Sequence, residues 1–154
     1  MKQLWKPKQS VTLSLVVTYL AGAALLALMA AMPWLLNLLT PRYGYGRMAA
    51  YHLYYLMWIF YACCPAGWAA IVSLLKLLHN IRAGKVFTRQ NVKLLRLLSW
   101  CFIFVTLIAI PATVVDYYCG IVFVAAGFLA IILRVVKNVI AEAALLREEN
   151  DLTI

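Results

Sequence analysis

The sequence predicts an all-α integral membrane protein, a four-helix bundle with both termini in the cytoplasm and short helical extensions on that side. Two features of its composition predict this class: 66% of the residues are hydrophobic and only 12% are charged. Soluble domains carry about 25% charged residues, and a chain of 154 residues has no interior large enough for such an apolar excess. The third observation is that the basic residues gather where one side of a membrane would be.

The distribution of positive charge predicts the topology. The chain has 14 lysines and arginines against 5 acidic residues, and every basic residue except Arg42 and Arg47 lies in segments that alternating spans assign to one side. Loops rich in Lys and Arg stay in the cytoplasm, so we expect a cell inner-membrane protein with this side cytoplasmic. These cations also predict binding to anionic lipid headgroups. Direct nucleic-acid binding is not expected, because no segment outside the spans carries a motif that reads bases.

Four apolar runs are long enough to cross the hydrocarbon region, which takes about 20 helical residues. The first run exceeds the core of a secretory signal, about 7–15 residues, so we expect it to remain as a helix. The fourth run is short and needs the snorkelling side chain of Arg134. Within a single membrane domain, 1–154, the predicted spans are about 11–37, 48–76, 92–115 and 117–136, the cytoplasmic hinge is 77–91, and the cytoplasmic stem and acidic tail are 137–154.

Two of the predicted helices carry a face suited to packing against a neighbour. In the first helix, small residues form a stripe that lets another helix approach closely. The members of this stripe are Gly22, Ala23, Ala27, Ala30 and Ala31. In the fourth helix the periodic pattern continues beyond the membrane, and we expect an apolar ridge there to cover the projecting ends of the second and third helices. The ridge is Ile132, Val136, Ile140 and Ala144.

The outer half of the second span is rich in aromatic residues. Four of them share one helical face: Tyr51, Tyr54, Trp58 and Tyr61. One interpretation is an interfacial belt, in which amphipathic rings lie at the level of the headgroups. The other is an aromatic pocket that opens outwards and binds a cationic or amphipathic compound. The sequence leaves both interpretations open.

The hinge between the second and third spans reads as a helical hairpin. Six cations and no acid lie between Lys76 and Arg96. Gly84 suits the left-handed residue that ends a helix, and Thr88 suits an N-cap. The predicted connection is therefore short, about residues 84–88.

The tail carries acidic residues that complement this basic hinge. Three of the five acids of the chain are Glu148, Glu149 and Asp151. We predict that one of these carboxylates binds a hinge cation, with Asn91 adding a polar contact at the start of the third helix. The candidate cations are Arg89, Lys93 and Arg96. The alternative is that the cations meet anionic headgroups and the tail frays in water.

The sequence carries no catalytic motif. It lacks H-E-x-x-H, G-x-S-x-G, a phosphate loop and carboxylates paired at a useful spacing. The four cysteines have no C-x-x-C spacing, and His52 and His79 are expected on opposite sides of the membrane. We therefore expect no catalytic residue, no metal site and no cofactor. The lack of an acid in mid-span argues against a proton-coupled transporter but leaves a channel or a lipid-handling protein open.

Two short stretches resemble a known family. The hinge pattern Gly84, Phe87, Asn91, Leu95 and Arg96, together with the terminal Glu-Asn-Asp-Leu-Thr-Ile at 149–154, is similar to small bacterial membrane proteins of the domain-of-unknown-function family twenty-nine seventy-five. The resemblance covers nearly the whole chain in topology, and the tail is its more specific part. It implies a four-helix bacterial inner-membrane protein without an assigned reaction. Genes of this family often neighbour a small helix-turn-helix regulator of the Cro/C1 type, so the resemblance also implies a cytoplasmic regulator as partner.

The expected function is non-catalytic. We expect a small inner-membrane protein that docks or senses a partner through its cytoplasmic surface, as a membrane-side modulator of a cytoplasmic regulator. The alternative is a transporter, channel or immunity-type protein that handles a small amphipathic compound through the aromatic half of the second helix. Homo-oligomerisation and the identity of the ligand or partner stay open.

Overall fold

The computed structural model describes residues 7–39, 47–115 and 119–151, and this part of the chain forms four α-helices. They are α1 (Pro7–Leu39), α2 (Arg47–Arg82), α3 (Arg89–Val115) and α4 (Cys119–Asp151). Each contains a segment long and apolar enough to cross a bilayer: Ser10–Leu38, Leu53–Arg82, Arg89–Val114 and Cys119–Arg147. The all-α architecture with four spans, predicted from the sequence, is confirmed.

The helices pack in chain order, α1 on α2, α2 on α3 and α3 on α4. Within the described residues, α2 is the only helix whose backbone comes close to that of α1. Helices α1 and α2 run antiparallel, since Gly22 lies opposite Ile71 while Leu25 lies opposite Gly67. Helices α3 and α4 do the same, since Thr106 lies opposite Gly127 while Thr113 lies opposite Gly120, and a short connection reverses the chain between α2 and α3. The bundle therefore has two ends. We call the end where α2 finishes and α3 begins the cationic end, and the other the opposite end.

The α1–α2 interface is close because glycines lie in it. A Cβ on Gly67 would stand 3.3 Å from Cδ2 of Leu25, and one on Gly22 would stand 3.6 Å from Cγ2 of Ile71. Of the small-residue stripe predicted in α1, however, only Gly22 faces α2. The remaining members, Ala23, Ala27, Ala30 and Ala31, are exposed. The stripe prediction was therefore mostly wrong. An alanine face is apolar and can contact lipid tails as favourably as it contacts another helix, so its composition does not require a helical neighbour.

The α3–α4 interface is the most extensive of the three. Ser99 Oγ of α3 donates a hydrogen bond of 3.1 Å to the carbonyl oxygen of Ala130 in α4. Further along, Thr106 packs against Gly127, where an added Cβ would meet Cγ2 of Thr106 at 3.6 Å. Small side chains on α4 thus bring its backbone within reach of hydroxyl groups on α3.

Three helices meet in one core at the cationic end. Leu77 of α2 packs with Leu95 and Leu98 of α3, and Leu133 and Ile140 of α4 pack against this cluster. The extension of α4 thus covers α2 and α3, as expected. The predicted ridge is only partly correct: Ile140 and Ala144 face inwards, whereas Ile132 and Val136 are each 39% exposed. The inward face of α4 is Ala126, Ala130, Leu133, Ile140 and Ala144.

Candidate functional site

The connection between α2 and α3 is a short, hydrogen-bonded turn at residues 83–88. Gly84 has a positive φ of 76°, and its N–H donates to the carbonyl of Ile81 at 3.0 Å. The N–H of Lys85 donates to the carbonyl of Asn80 at 2.9 Å. These two bonds form a Schellman motif, which satisfies the last carbonyls of α2 and ends the helix where the glycine predicted.

The start of α3 is capped by Thr88, as its sequence position predicted. The carbonyl of Thr88 accepts the N–H of Asn91 at 3.0 Å, and Oγ1 of Thr88 lies 3.4 Å from the same nitrogen. A threonine oxygen at this position satisfies a donor that the first turn of a helix leaves unpaired. The α2–α3 connection is therefore a defined turn between two capped helices.

Asn91 holds the hairpin together. Its side chain is only 1% exposed, and its Nδ2 donates to the carbonyls of Lys85 and Val86 at 2.7 and 2.8 Å. Its Oδ1 accepts a hydrogen bond of 2.7 Å from Nδ2 of Asn80 in α2. The sequence interpretation predicted a polar contact of Asn91 at the start of the third helix, and among the described residues its amide has its partners within the hairpin. A fully satisfied buried amide orders the turn.

The cations of the hairpin lie around this buried amide and are exposed: Lys76, Arg82, Lys85, Arg89, Lys93 and Arg96. Three of them, Arg89, Lys93 and Arg96, also line a cavity of about 260 Å³ between α3 and α4. The other lining residues are apolar: Val92, Ala141, Ala144 and Leu145. The structure thus brings the three predicted cationic site residues together over an apolar floor.

The acidic end of α4 continues past this cavity. Glu149 lies four residues beyond Leu145, which is about 6 Å along a helix axis. Arg89 and Glu149 each take part in at least one polar or electrostatic interaction. The side chains of Glu148 and Asp151 fall outside the described part of the chain. The contact between hinge and tail therefore stays a prediction.

A second cavity lies between α3 and α4, nearer the middle of the bundle. Its volume is about 250 Å³, and it is lined by Ile103, Thr106, Leu107, Gly127, Ala130, Ile131 and Arg134. The guanidinium carbon of Arg134 lies 5.9 Å from the centre of the Trp100 ring, which is within the range of a cation–π contact. Arg134 is therefore the one charged residue in the lining of this largely apolar cavity.

A third cavity, of about 320 Å³, lies between α1 and α2 towards the opposite end. Its lining comes from Pro33, Leu36 and Asn37 of α1 and from Leu53, Tyr54, Met57 and Tyr61 of α2. Two of the four residues of the predicted aromatic pocket, Tyr54 and Tyr61, thus face one cavity. The other two, Tyr51 and Trp58, are 71% and 69% exposed and do not line it.

One contact beside this cavity was missed by the sequence interpretation. The hydroxyl of Tyr61 donates a hydrogen bond of 2.9 Å to the carbonyl of Met29 in α1. That carbonyl lies four residues before Pro33, and proline has no N–H with which to close the helical bond. The signal in the sequence was a proline within an apolar run, which marks an unpaired carbonyl four residues earlier.

The burial pattern defines the class of protein. Among the described residues, the outer surface is largely Leu, Val, Ile and aromatic side chains, while the buried set includes polar Thr18, Ser73, Asn91 and Ser99. The hydroxyls of Thr18 and Ser73 donate to carbonyls of their own helices, both at 2.7 Å. Apolar side chains facing outwards around satisfied polar groups are typical of a lipid environment. The protein is a multi-pass membrane protein built as a four-helix bundle.

The chain belongs to the family described as "protein of unknown function (DUF2975)", whose profile matches residues 10–154. The resemblance seen in the hinge and tail is thereby confirmed. No curated protein matches the chain, and no solved structure does either.

Proposed function

We propose that the cationic end of the bundle faces the cytoplasm and docks a partner protein through an acidic segment of that partner. The observation that carries the proposal is the clamped hairpin, in which Asn91 is buried and the cations around it stay exposed. Exposed cations on an ordered support bind an acidic segment without first ordering a loop, and such preorganisation raises affinity. No reaction is assigned to this surface.

The acidic tail is the natural competitor for the same cations. Leu145 of α4 lines the cavity that Arg89 and Lys93 also line, and the chain continues from there into residues 147–154. We propose that the tail covers the cations when no partner is bound and leaves them when one arrives. In this scheme the protein is a membrane-side modulator, and a cytoplasmic helix-turn-helix regulator, suggested by the family resemblance, is its partner.

The first experiment tests whether the cationic end binds an acidic segment. The protein is truncated after Leu146, kept in detergent, and titrated with a fluorescent peptide of residues 147–154. Saturable binding that weakens with added salt is expected, because paired charges near a surface are screened by ions. A matched peptide with Glu148→Gln, Glu149→Gln and Asp151→Asn is expected not to bind. Equal binding of both peptides would count against the proposal.

Variants locate the binding surface. Arg89→Gln with Lys93→Gln is expected to abolish peptide binding, whereas Lys76→Gln with Arg82→Gln removes the same charge from α2 at the same end and is expected to keep most of it. The full chain is expected to bind the peptide more weakly than the truncated one, because its own tail competes. Copurification of the regulator with the full chain, the truncated chain and the same variants tests whether the regulator docks at this surface. Unchanged capture after removal of the tail would refute the tail's role.

A second candidate function rests on the cavity between α1 and α2. Its volume of about 320 Å³ and the side chains of Tyr54, Tyr61 and Asn37 suit a small amphipathic compound, within the usual range of ligand sites. A transporter, channel or immunity-type protein would use such a cavity. A panel of amphipathic amines that quench tyrosine fluorescence in wild type, but not in Tyr54→Ala, would favour this function over partner docking.

A further inference from the structure

The two cavities between α3 and α4 open on the same side of the interface. On α3, Arg89, Arg96 and Ile103 recur at seven-residue spacing, which is two turns of a helix and therefore one face. On α4, Arg134 and Ala141 have the same spacing. The contact between Arg134 and Trp100 lies between the two cavities. The two cavities thus lie in line along one side of the interface, and we call this line the α3–α4 groove.

The α3–α4 groove is polar at one end and apolar at the other. Arg89, Lys93 and Arg96 line the cavity at the cationic end, and Arg134 follows at the border between the two cavities. Beyond Arg134 the lining is Ile103, Leu107 and Ile131, with Thr106, Gly127 and Ala130 below them. The hydroxyl hydrogen of Thr106 is already used, because it is donated to the carbonyl of Phe102, with 2.8 Å between the oxygens.

The groove covers the depth of one leaflet of a bilayer and extends beyond it at the cationic end. From Arg89 to Leu107 the axis of α3 rises by about 27 Å. A span of about 20 residues that ends at Val115 reaches the hydrocarbon border near Arg96. Leu107 then lies about 16 Å inside that border, close to the middle of a hydrocarbon layer of about 30 Å. Lys93 and Arg96 thus lie at headgroup depth, Arg89 lies about 10 Å outside the border, and the apolar end lies at the depth of acyl chains.

We propose that the α3–α4 groove binds one anionic phospholipid, with its phosphate at Arg96 and Arg134, which leaves Arg89 and Lys93 to the tail, and with an acyl chain along the apolar part. Charge complementarity selects an anionic headgroup, since Arg96 lines the one cavity and Arg134 the other where the two meet, with Lys93 one turn further out, and basic pockets beside transmembrane helices bind such headgroups. The apolar extension selects a lipid rather than a free phosphate ester. This inference goes beyond the proposed partner docking and does not rest on it.

Native mass spectrometry of the full chain in detergent tests the proposal. Dioleoyl phosphatidylglycerol is expected to stay bound in a one-to-one complex, while dioleoyl phosphatidylcholine, with the same chains, is expected to dissociate. Glycerol 3-phosphate in excess is expected not to displace the phosphatidylglycerol. Equal retention of the two lipids, or displacement by glycerol 3-phosphate, would overturn the proposal.

Variants distinguish lipid binding in the groove from a general attraction of anionic lipids to the cationic end. Arg96→Gln with Arg134→Gln is expected to weaken retention of phosphatidylglycerol about fivefold for each cation removed. Lys76→Gln with Arg82→Gln is the matched control and is expected to change retention little, because neither residue lines the groove. Arg96→Lys with Arg134→Lys keeps the charge and is expected to keep retention. Equal losses in the groove and control variants would overturn the proposal.

Quenching of Trp100 fluorescence tests the position of the acyl chain. The variant used has every tryptophan except Trp100 replaced by Phe. Phosphatidylglycerol that carries bromine on its acyl chains near the headgroup is expected to quench Trp100 more than phosphatidylcholine brominated at the same position. Equal quenching would mean that the lipid does not enter the groove. The readout is independent of the charge variants, so it remains decisive if one of them fails to fold.

Discussion

The hydroxyl of Tyr61 donates to the carbonyl of Met29 at 2.9 Å, across the α1–α2 interface. Met29 is the residue whose carbonyl Pro33 leaves without a helical donor, because Pro33 lies four positions later and has no N–H. An unpaired carbonyl in a membrane helix is costly. Tyr61 of α2 thus supplies the hydrogen-bond donor that the Met29 carbonyl of α1 lacks, and this bond joins the two helices.

We expect Tyr61→Phe to destabilise the bundle by about 1 kcal/mol, the usual net value of one hydrogen bond. In a Pro33→Ala background the helical N–H returns, so the same substitution is expected to cost much less. Equilibrium unfolding of the four proteins in mixed detergent micelles, followed by circular dichroism, gives this double-mutant cycle. Additive losses in the two backgrounds would show that Tyr61 and Pro33 are not coupled through Met29. Tyr54→Phe is the control, since Tyr54 is 59% exposed.

Asn91→Ala is expected to cost about 3 kcal/mol, because it leaves the carbonyls of Lys85 and Val86 and the amide of Asn80 without their partner. Gln90→Ala changes the exposed neighbour and is expected to stay within about 0.5 kcal/mol of wild type. The measurement is the same unfolding titration, with proteolysis at the basic turn as a local readout. Resistance to trypsin equal to that of wild type in Asn91→Ala would argue against the clamp.

Gly84→Ala is expected to cost about 1 kcal/mol, since a left-handed backbone is unfavourable for a residue with a Cβ. The cost is conformational and not steric, because a Cβ at Gly84 would meet no atom within 4 Å. Gly84→Asn is expected to cost less, as asparagine tolerates this conformation better. Thermal unfolding of the three proteins in one detergent ranks them. If Ala and Asn were equally harmful, the backbone explanation would fail.

Two buried serines separate bonds between helices from bonds within one. Ser99→Ala removes the bond from α3 to the carbonyl of Ala130, and we expect a loss of about 0.6 kcal/mol, the average for such pairs in membranes. Ser73→Ala removes a bond within α2, to the carbonyl of Ala69, and is expected to have little effect. Unfolding of both variants under one condition makes the comparison. A larger loss for Ser73→Ala would contradict the assignment of Ser99 to the α3–α4 interface.

The local signals in the sequence were read correctly at the hinge. Gly84 ends α2 in a left-handed turn and Thr88 caps α3, because both preferences arise from one residue and its nearest peptides. Asn91 was predicted to make a polar contact at the start of α3. The structure gives it Asn80 and two backbone carbonyls as partners, which depends on how α2 and α3 are brought together.

The sequence by itself determined the class of protein, the four spans and the turn between α2 and α3, since these depend on the length of apolar runs and on single-residue preferences. Only the tertiary structure decided which face of each helix meets a neighbour. Lipid tails are as apolar as leucine, so hydrophobic periodicity does not distinguish a helix-facing side from a lipid-facing one. That is why Ala23 and Val136 were assigned to interfaces and are exposed, while Ser99 and Tyr61 join helices through hydrogen bonds.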